Sequence, residues 1–144
     1  YARAMAAERL GKIDLVESDL RALLSEHPEN AMVLNALGYT LADRTDRLKE
    51  AESLLARALE LSPDDPFILD SAGWAQFRLG NLARAQEYIE RAYKARPDPE
   101  IAAHLGEVLW ALGMQKEAAA LWQTALQTAP QNELLLETVR RFPR

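Results

Sequence analysis

Small and large apolar residues alternate along this chain at helical spacing. Ala51, Leu55 and Ala58 form one such set, and Ala85, Ile89, Ala92 and Ala118, Trp122, Ala125 repeat it. Steps of four and three residues place each set on one face of a helix. A glycine precedes each set, at Gly38, Gly73 and Gly106, and a proline closes it, at Pro63, Pro97 and Pro130, with Pro28 ahead of the first. Proline lacks the N–H that a continuing helix needs and biases the residue before it away from helical geometry, so each one ends a helix and turns the chain. Two antiparallel helices approach to roughly 8–10 Å only where the contact positions are small, which predicts that Gly38 and Ala51, or Gly106 and Ala118, lie where backbones come closest. Leu55, Ile89 and Trp122 then fill the space between successive hairpins. The pattern predicts an all-α array of helical hairpins.

Local signals refine the layout. Asp65-Pro66 and Asp98-Pro99 read as an N-cap followed by the first helical residue. Gly11, Gly80 and Gly113 fall at turns inside hairpins, where a left-handed C-cap is often needed, while the corresponding turn near Asp43 to Arg47 is charged, has no glycine and is one residue longer. The expected divisions are a partial repeat 1 over 1–30 with its second helix at about 13 to 26, repeat 2 over 31–65, repeat 3 over 66–98, repeat 4 over 99–132, and a capping helix within 133–144. In that cap Leu135, Leu136, Val139 and Phe142 are expected to cover the apolar end of the last hairpin. Repeat 1 is atypical, with Ala4, Val16 and Leu23 at the small positions and Arg3 where leucine is usual. The chain starts at Tyr1, inside the first helix of that repeat, and is expected to be a fragment of a longer array.

These residues carry a family resemblance. Small residues at repeat positions 8, 20 and 27, a large one at 24 and proline at 32 resemble the tetratricopeptide repeat (TPR) over nearly the whole chain. The resemblance implies an α-solenoid wound as a right-handed superhelix, with the first helix of each hairpin lining the concave face. It also implies that repeat positions 2, 5, 9 and 12 point into that face. Those positions hold Met5, beside Tyr1 and Glu8, in repeat 1; Met32, Asn35, Tyr39 and Ala42 in repeat 2; Phe67, Asp70, Trp74 and Phe77 in repeat 3; and Glu100, Ala103, Glu107 and Trp110 in repeat 4.

The lining so defined is aromatic and acidic. Helical-period aromatics are usually core, yet three aromatics, two methionines and a tyrosine on one face also match the chemistry of interaction sites. Trp74 and Phe77, flanked by Tyr39 and Trp110, are expected to centre an apolar strip rimmed by Asp70, Glu100 and Glu107, which would favour a partner bearing Lys or Arg. Asn35 and Asp70 are placed to hydrogen-bond a peptide backbone. TPRs that clamp a C-terminal carboxylate carry Lys and Asn where this chain has Asn35 and Tyr39, Asp70 and Trp74, Ala103 and Glu107. Negative charge at those places excludes that mode.

Composition narrows the function classes further. The chain is 49% hydrophobic and 27% charged, enough for a continuous core, and has no run of about 18 apolar residues that would span a membrane. With no cysteine, disulfides and thiolate metal sites are excluded. A net charge of −5 argues against nucleic acid, whose binding depends on clustered Lys and Arg. His27 and His104 are the only imidazoles. His27, beside Pro28, reads as a solvated hairpin end. Glu100, His104 and Glu107 share a helical face and have the spacing of a metal site, but no second helix offers a matching Glu-x-x-His pair. No Gly-rich phosphate loop, nucleophile elbow or Cys-His pair is present, so no enzyme, cofactor or metal is expected.

A narrower resemblance lies in LNALGYTLADRTDRLKEAESLLARALELSPDD and ILDSAGWAQFRLGNLARAQEYIERAYKARPDPEIAAHLGEVLWALG. Both stretches are similar to the C-terminal region of proteobacterial cell-envelope TPR lipoproteins. That resemblance implies a bacterial scaffold in the periplasm, anchored to the outer membrane through the full-length protein, without direct membrane insertion by this part. The best understood member links a carboxy-terminal processing protease to its peptidoglycan-hydrolase substrates. A structural subunit of a secretion, pilus or polysaccharide-export complex, and a cytoplasmic location, stay open.

Overall fold

A computed structural model describes residues 12–142. Among these residues all regular structure is helical. The helices are α1 (Ile13–Glu26), α2 (Ala31–Arg44), α3 (Leu48–Leu61), α4 (Pro66–Arg78), α5 (Leu82–Ala95), α6 (Pro99–Ala111), α7 (Gln115–Thr128) and α8 (Glu133–Arg140). Tyr1, Met5, Glu8 and Gly11 lie outside the described residues.

Side chains at the helix starts explain where several helices begin. The Asp65 carboxylate accepts from the backbone N–H groups of Phe67 and Ile68, and Asp98 does the same for Glu100 and Ile101. Pro66 and Pro99 follow at the first helical position, where a missing N–H leaves nothing unpaired. Asn30 and Asn132 cap α2 and α8 through Val33 and Leu135. Two C-termini use glycine. Gly80 has φ of 89° and Gly113 of 86°, and the N–H groups of Asn81 and Met114 reach back to the carbonyls of Gln76 and Leu109. This six-to-one bond is the Schellman closure, which needs the left-handed conformation that glycine takes without steric cost. The turn without glycine closes differently: Thr45 Oγ1 donates to Leu41 O at 2.6 Å and accepts from Arg47 N at 3.1 Å.

The helices pack as consecutive hairpins, α2 with α3, α4 with α5 and α6 with α7, and α4 and α6 each join two hairpins by packing on the helices before them. The small residues set this spacing. A Cβ added to Gly38 would lie 2.6 Å from Leu55 Cγ, and one on Gly73 or Gly106 would strike Ile89 or the Trp122 indole. Thus Leu55, Ile89 and Trp122, all buried, occupy the volume that the glycines leave, and native packing density has no room to spare there. α8 packs on α6 and α7. Its Leu135 is fully buried, and Val139 and Phe142 lie against the core around Trp122, while Leu136 is half-buried.

An ion network ties α1 to the hairpin that follows. Arg21 donates to Glu17 at 2.8 Å and to Glu50 at 2.6 Å, and Arg47 donates to Glu17 through both terminal nitrogens. The hydrogen bond from Arg47 is the main reason that the Glu17 carboxyl is lowered from 4.5 to about 2. A depressed carboxyl contributes stability that is complete above its unfolded value of 4.5 and is lost as pH falls toward 2. Both arginines are more than a third exposed, so solvent screening limits the network to about 1 kcal/mol. Glu17→Gln is therefore expected to cost about 1 kcal/mol in urea melts at pH 7 and clearly less at pH 2, where the folded carboxyl is partly protonated. An equal cost at both pH values would assign the effect to packing.

Candidate functional site

The first helices α2, α4 and α6 lie side by side and bring the residues of the expected groove together in three different ways. Met32 and Phe67 occupy the same place in α2 and α4, one residue in from each start, and remain 69% and 43% exposed. The Arg96 guanidinium sits 5.4 Å from the Phe67 ring centre, a cation–π contact at the open edge. Asn35, Tyr39 and Phe77 are half-buried farther along, and Glu100 is exposed. The Asn35 Oδ1 is buried without a hydrogen-bond partner.

Trp74 and Asp70 correct the expectation that they face an occupant. Trp74 is only 6% exposed and Asp70 only 7%. The Trp74 ring is stacked on Phe77 at 4.9 Å and on His104 at 4.3 Å, and its Nε1–H donates to Asp43 at 3.1 Å. Asp70 accepts from His104 Nδ1 with both oxygens at 3.0 Å. These two residues are the floor of the face that α2, α4 and α6 share, with their polar atoms already satisfied inside the protein.

His104 is the centre of that floor. Its Nδ1 faces the Asp70 carboxylate and its Nε2 lies 3.2 Å from the Tyr39 hydroxyl, which places a proton on Nδ1; the hydroxyl donates to Nε2 when the ring is neutral and accepts from it when the ring is protonated. Burial pushes the imidazole down, but the Asp70 charge and hydrogen bond, with Asp43 and Glu107 farther off, outweigh it and raise the group above its ordinary 6.5. The shared helical face of Glu100, His104 and Glu107 does not form a metal site. Among the described residues no three His, Asp or Glu side chains converge on one point, and both His104 nitrogens are engaged.

The remaining acidic and aromatic positions turn toward the end of the array. Glu107 accepts from Arg141 at 2.9 Å, so the acidic rim is partly neutralised from within. Trp110 stands 6.0 Å from Trp122 and 5.2 Å from Phe142, packed under the capping helix beside Phe142 rather than extending the strip of Tyr39 and Phe77. A cavity of about 640 Å³ opens there, walled by Trp110, Trp122, Leu126, Val139 and Phe142.

Sequence reasoning missed Asp43, Arg78 and Arg141, and took His104 for a metal question alone. Arg78 Nη1 donates to the carbonyls of Ala42 and Asp43 at 2.9 and 3.2 Å. A signal was present, since Asp70 and His104, like Glu107 and Arg141, are 34 residues apart. One repeat length separates groups that meet across neighbouring helices of a solenoid.

The tetratricopeptide repeat family profile matches residues 1–66 and 71–133. The chain belongs to that family. It is 53% identical over 107 residues to a TPR repeat-containing protein of Pseudomonas aeruginosa, an overlap that takes in 74% of this chain and 18% of that one. The TPR array thus spans under a fifth of the length of this relative. Among solved structures, a thermophilic TPR protein from Thermus thermophilus superposes with a TM-score of 0.81 at 22% identity, covering 95% of this chain and 76% of that one. A mutant of the Thermobaculum terrenum O-GlcNAc transferase superposes at 0.78 and 22% identity, covering 88% of this chain and 25% of the enzyme. At such identities the two structures speak for the solenoid fold alone.

Proposed function

We propose that this TPR array is a non-catalytic scaffold that holds a protein segment on its concave face, with Met32, Phe67, Tyr39 and Phe77 as its apolar contacts. The observation that carries the reading is the exposure of Met32 and Phe67 at equivalent places of adjacent helices, in line with the half-buried Tyr39 and Phe77. Large apolar side chains left open on one face of a well-packed solenoid supply contact area that folding does not use. Glu100 at the same repeat position favours a basic residue in the partner.

Within that reading, the array serves as part of an envelope adaptor that links a carboxy-terminal processing protease to its substrates. Support comes from the resemblance carried by residues 34–65 and 68–113. Affinity capture from native cell extract, read by mass spectrometry, is expected to return such a protease or a peptidoglycan hydrolase. Export or pilus subunits in its place would sink the adaptor reading. With the captured partner in hand, Phe67→Ala is expected to weaken binding by about 1–2 kcal/mol and to change stability by no more than about 0.5 kcal/mol. Unaltered titration curves for both Phe67→Ala and Met32→Ala would move the binding site off this face.

A further inference from the structure

The hydrogen bond between Tyr39 and His104 joins residues 65 positions apart, and thus links the hairpin of α2 and α3 to that of α6 and α7. The backbones of α2 and α6 do not pack on each other; α2 packs on α4, and α4 on α6. A solenoid in which repeats touch only their neighbours takes its curvature from the sum of many small rotations. A side-chain bond to the next-but-one repeat acts on that sum directly. The same imidazole is held by Asp70 of the intervening hairpin and lies flat on Trp74, so three hairpins converge on one ring.

We propose that His104 is a positioning residue that clasps three successive hairpins through Asp70 and Tyr39 and so fixes the arc on which the concave face meets its partner. The consequence for binding rests on the function proposed above; the clasp itself rests on geometry alone.

The charged and titratable groups around the ring decide how the clasp responds to pH. Tyr39 and Asp43 face it from α2, Asp70 from α4, and Glu107 from its own helix. Arg141 is drawn to Glu107 from beyond α8, and Arg78 to the carbonyls at the end of α2. The buried residues of α5 and α7, which also pack on α6, are apolar. Carboxylates therefore outweigh burial, and the folded state favours the imidazolium. A histidine raised on folding contributes fully below its unfolded value of 6.5 and loses that contribution as pH climbs through the folded value. The Asp70 half of the clasp is thus an ion pair in mildly acidic solution and a neutral hydrogen bond in alkaline solution, while the Tyr39 bond persists in both, its hydroxyl accepting from the imidazolium and donating to the neutral ring.

The chain has no cysteine, so Ser53→Cys on α3 and Thr124→Cys on α7, both exposed, carry spin labels without background. The distance distribution between them is measured by pulsed electron resonance. Tyr39→Phe, which keeps the ring and deletes the crossing bond, is expected to shift the mean by about 2 Å or to broaden the distribution visibly. His104→Ala, which removes the ring that Tyr39 and Asp70 share, is expected to give the same change while circular dichroism stays helical. Superimposable distributions for Tyr39→Phe and the parent overturn the clasp, as does a His104→Ala distribution that matches the parent's. A shifted distribution with unchanged partner affinity supports the clasp and counts against the concave binding face instead.

Discussion

Trp74→Ala is expected to lower the unfolding free energy by about 3–5 kcal/mol, the range for deleting a buried aromatic side chain. The indole is 6% exposed, is stacked on Phe77 and His104, and satisfies Asp43 with its N–H. Truncation leaves a cavity between α2, α4 and α6, uncovers one face of the buried imidazole and strips Asp43 of a donor. For a chain of this size such a loss lowers the melting temperature by roughly 10 °C. Trp74→Phe separates the contributions: it keeps most of the packing and removes the Asp43 bond, for about 1 kcal/mol. Urea melts of the two variants against the parent measure both effects. A Trp74→Ala protein within 1 kcal/mol of the parent would mean that the ring is not packed as described, and would return it to the role of a surface anchor.

Removing the other half of the floor has an effect of similar size and a distinct pH signature. Asp70→Ala leaves His104 buried without its main counter-charge, and breaking a buried pair in this way costs about 3–5 kcal/mol. In the parent, His104 is raised above 6.5, so stability declines as pH rises through the folded value. Without Asp70, burial is the largest remaining influence on the ring and acts in the opposite direction. The parent's decline in stability above pH 6.5 is therefore expected to disappear in the variant. The comparison needs denaturant midpoints for both proteins from pH 6 to pH 9. A constant difference across that range would show that the pair contributes through hydrogen bonding and not through charge.

Both predictions concern residues whose repeat positions were legible while their burial was not. Repeat positions 5 and 9 put Asp70 and Trp74 on one face of α4, and in the structure both meet His104. They define a direction on one helix and carry no measure of how far the neighbouring helices close over it. Closure depends on His104 and Tyr39, each one hairpin away on opposite sides, and on the particular side chains that meet there. Glu107 shows the same thing for charge: on its own helix it reads as an open carboxylate, and only the approach of Arg141 from beyond α8 neutralises it.

The sequence by itself determined the elements and the small-on-large contacts that stack them. Asp65-Pro66 and Asp98-Pro99 start α4 and α6, Gly80 and Gly113 end α4 and α6 in left-handed turns, and Gly38, Gly73 and Gly106 receive Leu55, Ile89 and Trp122. Each of these choices is made within a helix, a turn or one hairpin, by φ preference, capping and helix-to-helix distance, and so it is written in local spacing. Only the tertiary structure decided which inner-face residues stay open, such as Met32 and Phe67, and which sink into the floor, such as Trp74 and Asp70. That outcome depends on the summed rotation of successive hairpins, to which every repeat contributes and which no single repeat encodes.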